Sequence, residues 1–160
     1  MNAFFVKQFP VLRPEQFTEE DKLYIIPRVY ELAFFNRDLQ GWADELWEEC
    51  DIDIQQHIVE RIAATNGTAV PDLKDWQPKP CIYNEERRAM AQAELDAYYA
   101  HLYGLTTDEL RYILDPEDIC GPGCINETFR VLKDNEMRKY GKYRTKRLVM
   151  EAWERMGYDK

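Results

Sequence analysis

Serine is absent from the whole chain of 160 residues, so no serine nucleophile can be assembled and the hydrolases built on one are excluded. Histidine occurs only as His57 and His101, which leaves little for general acid–base work or for metal binding. Glycine is scarce at 7 residues, and several of these sit where a helix would end, so the frequent turn signals of a β-sandwich or barrel are missing. No apolar run approaches the roughly 18 residues of a membrane-spanning helix. Residues 2–12 are apolar in patches, but Lys7, Gln8 and Pro10 interrupt them and no small-residue cleavage site follows, so no secretory signal is read. A cytoplasmic location is the resulting expectation, and there Cys50, Cys81, Cys120 and Cys124 are expected to be free thiols.

Aromatic residues are abundant, with 4 Trp, 10 Tyr and 7 Phe in a chain that is 45% hydrophobic. That content supplies a packed core and argues against disorder. The length suits one compact domain. The net charge of −9 disfavours nonspecific nucleic-acid binding, but it is unevenly spread. Between residues 130 and 147 lie Arg130, Lys133, Arg138, Lys139, Lys142, Arg144, Lys146 and Arg147, opposed only by Asp134 and Glu136. A basic C-terminal stretch thus sits on an otherwise strongly acidic chain.

Helical periodicity dominates the pattern. Thr18 can cap a helix whose first turn holds Glu19, Glu20 and Asp21, and Leu23, Ile26, Tyr30, Ala33 and Phe34 form its apolar stripe. Pro27 falls inside that stripe, so either the helix kinks or a second helix begins there. Residues 36–50 and 52–64 read as two more helices, with Asn66-Gly67 as a stop. A proline-bearing loop over 68–83 is expected to be pinned by Trp76. Asn84 caps the clearest helix, which Gly104 ends. Its row Met90, Ala93, Ala97 and Ala100 allows a neighbouring helix to approach closely. Thr106 and Glu109 offer a capping box for a helix to Leu114. A loop over 116–125 follows, then a helix capped by Asn126 and broken at Gly141, and a last helix over 144–156. The expectation is all-α: a single compact domain of about seven helices over 18–157, preceded by a short extended arm over 1–17.

Two stretches carry a family resemblance. NEERRAMAQAELDAYYAHLYGLTTDELRYILD (84–115) and ETFRVLKDNEMRKYGKYRTKRLVMEAW (127–153) resemble the C-terminal helical region of large type IIG-like restriction–modification adenine-specific DNA methyltransferases and of related methylases in the BREX and DISARM phage-defence systems. FFVKQFPVL (4–12) resembles the exit from their catalytic or target-recognition region. Residues 37–82 are less similar and look like a variable insertion. Those proteins use a glycine-rich turn for S-adenosylmethionine and an Asn-Pro-Pro-Tyr loop for the flipped adenine. This chain has no Asn-Pro-Pro, and its Gly121-Pro122-Gly123 follows a helix and holds a proline. The resemblance therefore implies a non-catalytic auxiliary domain, the C-terminal piece of a longer protein or the product of a split gene, with S-adenosylmethionine bound elsewhere. A catalytic methyltransferase region is its implied partner.

Other chemistries fit less well. Asp72, Glu85 and Glu86 loosely resemble a Mg²⁺-dependent nuclease motif, but Arg87 stands where lysine belongs and the two glutamates open a helix. Cys120 and Cys124 form one loose pair, whereas structural zinc sites show two tight pairs. His101 follows Glu94 and Tyr98 on one helix face, a spacing better suited to a hydrogen-bonded core histidine than to an acid–base unit. The basic segment is the remaining candidate: Arg130, Lys133, Arg138, Lys139, Lys142, Arg144, Lys146 and Arg147 could contact DNA phosphates, with Tyr140 and Tyr143 interleaved. The same cations could instead dock on acidic surface of their own domain or of a partner. In that reading the chain is a protein-interaction module without DNA contact, worked through the apolar arm Phe4, Phe5, Val6 and Phe9.

Overall fold

A computed structural model describes residues 11–124 and 129–158. The arm residues Phe4, Phe5, Val6 and Phe9, the cap Asn126 and the first residues of the helix after it lie outside that range. The all-α architecture read from periodicity is the one observed: eight α-helices, three short 3-10 turns and no strand among the described residues. They divide into two compact units, Met1–Pro80 and Cys81–Lys160.

In the first unit a 3-10 turn at Pro14–Gln16 leads to α1, Glu19–Ala33. Thr18 and Asp21 close a reciprocal capping box, with Asp21 N donating to Thr18 Oγ1 at 3.1 Å and Thr18 N to Asp21 Oδ2 at 2.7 Å. Pro27 neither ends nor divides the helix; it is fully buried inside one continuous α1. α2 spans Gln40–Glu49 and α3 spans Ile52–Asn66, the latter capped by Asp51 and ended by Gly67 at φ 65. α1 lies along α3, and Tyr30, Phe34, Ile58, Val59 and Ile62 fill the space between them. Glu31 is buried at 2% exposure, where it accepts from Arg61 Nε at 2.7 Å and Thr65 Oγ1 at 2.8 Å. The proline-bearing loop is pinned as its aromatic content suggested. Trp76 is buried with its ring 4.4 Å from that of Trp47, and Tyr30 donates to Lys79 O at 3.2 Å.

The second unit is built on α4, Glu85–Leu102, and α8, Arg144–Arg155, which pack side by side. Asn84 caps α4 by accepting from Glu86 N and Arg87 N, each at 3.0 Å. Ala93, Ala97 and Ala100 present a flat surface, so Val149, Ala152 and Trp153 of α8 seat directly on the backbone of α4. Met90, the first member of that row, stays exposed. Between them run α5, Thr107–Leu114, α6, Glu117–Cys120, and α7, Arg130–Tyr140. α6 is a single turn inside the stretch expected to be a loop; Pro116, free of an N–H, starts it. Leu110 and Leu114 of α5 complete the core, and Trp153 Nε1 donates to Thr107 Oγ1 at 2.9 Å. α7 contributes no buried residue and joins α8 through Gly141, whose φ of 68 lies in the left-handed region.

Candidate functional site

The eight cations singled out in the sequence fall on α7, on α8 and on the Gly141 turn between them, and five of them pair with carboxylates of their own unit. Glu85, in the first turn of α4, collects one group of them. It accepts from Lys139 Nζ at 2.9 Å and from Tyr140 Oη at 2.7 Å, and lies 3.6 Å from Arg144 Nη1. Arg144 Nη2 also donates to the Glu85 carbonyl at 3.2 Å. The hydrogen bond from Lys139, then that from Tyr140, holds the Glu85 carboxyl down to about 2, and the same contact raises Lys139 above the ordinary lysine range.

Asp115 collects the second group. Its residue is only 5% exposed, and it accepts from Lys133 Nζ at 2.9 Å and Lys146 Nζ at 3.3 Å. Burial pushes the Asp115 carboxyl up, but the two lysines outweigh it and leave the group below its ordinary value. Lys133 also donates to Glu117 at 2.7 Å, and Lys146 pairs with Asp118 of the same short helix. Glu136 then ties α7 to α8, accepting from Thr145 N and Thr145 Oγ1, each at 2.7 Å, and so serving the free N–H groups at the start of α8. Tyr143 is buried beneath this network. Its hydroxyl finds no partner among the described residues, and burial, with Glu136 and Asp115 nearby, pushes the phenol up to about 12.

The four cations outside these two groups are exposed. Arg147 reaches Glu151 at 2.6 Å one turn along its own helix, and Arg138 bonds Asn135 at 2.6 Å without a carboxylate partner. Arg130 and Lys142 are exposed and pair with nothing among the described residues. The basic segment therefore does not present a continuous cationic face: Lys133, Lys139, Arg144 and Lys146 already neutralise Glu85, Asp115, Glu117 and Asp118.

The other sequence candidates scatter. Asp72 caps a 3-10 turn at Leu73–Asp75 and pairs with Lys74 at 3.1 Å, while Glu85 is engaged as described. His101 is not a core histidine; it is exposed and stacks on Tyr158 with ring centroids 3.7 Å apart, because the last turn of α4 projects beyond α8 and Tyr158 folds back over it. Glu94, read as its companion, pairs instead with Arg155 at 3.0 Å. His57 is exposed on α3 with Nδ1 2.9 Å from the Asp53 carbonyl. Cys120 and Cys124 are not free thiols but are joined in a disulfide: Gly121 and Gly123 both adopt positive φ and turn the chain back, leaving the two Cα atoms 6.1 Å apart. Cys50 and Cys81 take part in no disulfide among the described residues. Burial, with Asp51 and Glu49 adding to it, pushes the Cys50 thiol up to about 11, so it is protonated and a poor nucleophile near neutral pH. Among the described residues no group of three or more His, Cys, Asp or Glu is placed to hold a metal ion, and no helix is long and apolar enough to cross a membrane.

The sequence did not point to a cleft of about 870 Å³ in the second unit between α4, α5, α7 and α8. It exists because α7 leans on α8 and stands off from α4 and α5. Gln92, Asp96, Tyr99 and Tyr103 line it from α4, Leu105 and Ile113 from the α5 side, Leu132 from α7 and Leu148 from α8. A legible trace of it was the polar pair Gln92 and Asp96, spaced by one helical turn between the apolar rows of an otherwise core-forming helix. Comparison of the chain with protein-family models, with curated proteins and with solved structures returns no match.

Proposed function

We propose that this chain is a non-catalytic, cytoplasmic auxiliary module of an adenine-specific DNA methyltransferase, or of a related restriction–modification or phage-defence assembly, and that it acts by docking on protein. S-adenosylmethionine and the adenine pocket belong, in this reading, to the partner catalytic region. The methyltransferase setting rests on the resemblance of 84–115 and 127–153. The preference for docking over DNA contact rests on one observation: five of the eight cations that would have gripped phosphates are held by carboxylates of their own unit. A paired lysine releases few counterions on meeting DNA, so it adds little to affinity.

The alternative, a backbone contact with DNA, is favoured by the exposure of Arg138, Lys142 and Arg147 around the Gly141 turn and of Arg130 at the far end of α7. Fluorescence anisotropy with labelled duplex DNA, repeated from low to moderate salt, separates the two. The docking reading expects no binding, or a log–log salt slope reporting very few phosphates at about 0.9 per contact. A slope reporting several phosphates, lowered by charge reversal at Arg130, Lys142 and Arg147, would overturn it. Docking itself is tested by co-elution of the chain with the catalytic region of an adenine-specific methyltransferase from the same genome, with methylation rates measured with and without the chain.

A further inference from the structure

The cleft of the second unit has the volume and lining of a small-molecule site: apolar and aromatic walls with a few polar groups that converge. Two of those polar groups are unanswered. Asp96 and Gln92 lie one turn apart on α4, both facing the cleft, and neither has a hydrogen-bond or ion-pair partner among the described residues. The surface of Asp96 remains open to solvent, but the walls displace bulk water around it, and that desolvation raises its carboxyl above the ordinary range.

The cations that line the same cleft do not answer Asp96. Arg144 is engaged by Glu85 and Tyr140, and Arg88 lies over the Tyr83 ring at 5.2 Å. Arg88 also lies about 12 Å back along α4 at the helical rise per residue. This end of the cleft therefore has a carboxylate and an amide with unused acceptors, flanked by the rings of Tyr99 and Tyr103, and opens onto the aliphatic surface of Leu105, Ile113 and Leu148.

We propose that the cleft binds a small organic amine with an apolar or aromatic body, its ammonium held by Asp96 and Gln92 and its body laid against Leu105, Ile113 and Leu148. An ammonium supplies the charge that Asp96 lacks and the donors that both side chains can accept, and tyrosine rings attract it further through their faces. An anionic ligand would meet Asp96 unfavourably, and a neutral one would leave the carboxylate desolvated without compensation. The assignment stands apart from the docking role, since neither Asp96 nor Gln92 belongs to the basic segment.

The test is an amide-resonance titration of the isotope-labelled full chain with phenethylamine and, in parallel, with its neutral counterpart phenylethanol. Phenethylamine is expected to shift resonances of α4 around Asp96 and of α5 opposite, and to bind about tenfold more tightly than the alcohol. Asp96→Asn should remove that preference. Asp96→Lys, which brings the chain's own ammonium into the cleft, should abolish amine binding while circular dichroism stays unchanged. Absence of α4 shifts with either probe, equal affinity for the two, or a preference for the amine that survives Asp96→Asn would overturn the proposal.

Discussion

Asp115 shows how much depends on single side chains in the second unit. It follows the last residue of α5, where carbonyls leave partial negative charge, and its own carboxylate is buried there. Such a group persists because Lys133 and Lys146 reach it from two different helices. Asp115→Ala removes the shared partner and leaves two partly buried ammonium groups without it. We expect that substitution to destabilise the fold by about 2 kcal/mol, read as a lower denaturant midpoint. Lys133→Ala should cost less, since Lys146 still answers the carboxylate. Equal midpoints for Asp115→Ala and the unaltered chain would mean that Glu117 and Asp118 alone satisfy both lysines. Glu31 in the first unit obeys the same rule more strictly. Arg61→Ala removes the cation that balances a carboxylate at 2% exposure, and a loss of about 3 kcal/mol is expected. Replacing both Glu31 and Arg61 by leucine should come much closer to the unaltered stability, because no buried charge is left behind. A double variant as unstable as Arg61→Ala would argue that the pair contributes more than its own neutralisation.

At the scale of elements, the helices were legible because their ends are signalled by neighbours in sequence. Thr18 with Asp21, Thr106 with Glu109, and Asn84 at the head of α4 each act within one turn, so the chemistry that starts the helix is present in a short window. Gly67 and Gly141 end α3 and α7 for an equally local reason. A Cβ at Gly141 would meet nothing within 4 Å, so the cost of Gly141→Ala is conformational alone. We expect about 1 kcal/mol, measured by thermal or denaturant unfolding. A larger loss would show that the turn also sets the angle at which Glu136 reaches Thr145. What the sequence left hidden depends on pairing between elements. The basic segment reads as a free cationic face only until α4 brings Glu85 to Lys139 and the α5–α6 corner brings Asp115 and Asp118 to Lys146. His101 misled for a similar reason: its helix face is apolar for most of its length, but α8 ends short of it. The cleft left no trace beyond the Gln92 and Asp96 pair, because it is the space left by α7 and no periodicity records a gap.

Across the whole chain the charge asymmetry seen in the sequence becomes a pH dependence located in the second unit. The carboxyls of Glu85, Asp115, Glu109 and Glu117 all lie below their ordinary values. For Glu85 the hydrogen bond from Lys139 leads the causes, and for Glu117 that from Lys133 does. A carboxyl whose folded value is depressed binds its proton more readily in the unfolded chain. Its stabilisation is therefore complete above its ordinary value and is lost as pH falls toward the depressed one. For Glu85 that window runs from 4.5 to about 2. Lys133 has the opposite sign: its raised value, caused first by the hydrogen bond to Glu117, gives stability that is present below 10.5 and lost as pH rises beyond it. We expect amide resonances of α7 in the full chain to broaden between pH 4.5 and about 2, before those of the α4–α8 core, because α7 buries no side chain and is held largely by these pairs. Raising the ionic strength to roughly 1 M near neutral pH should weaken the solvent-exposed Lys139–Glu85 pair far more than the shielded Lys133–Asp115 pair. If α7 and the core instead lose their resonances together in acid, α7 is integral to the cooperative unit, and the cleft beneath it is a fixed cavity rather than one with a movable wall.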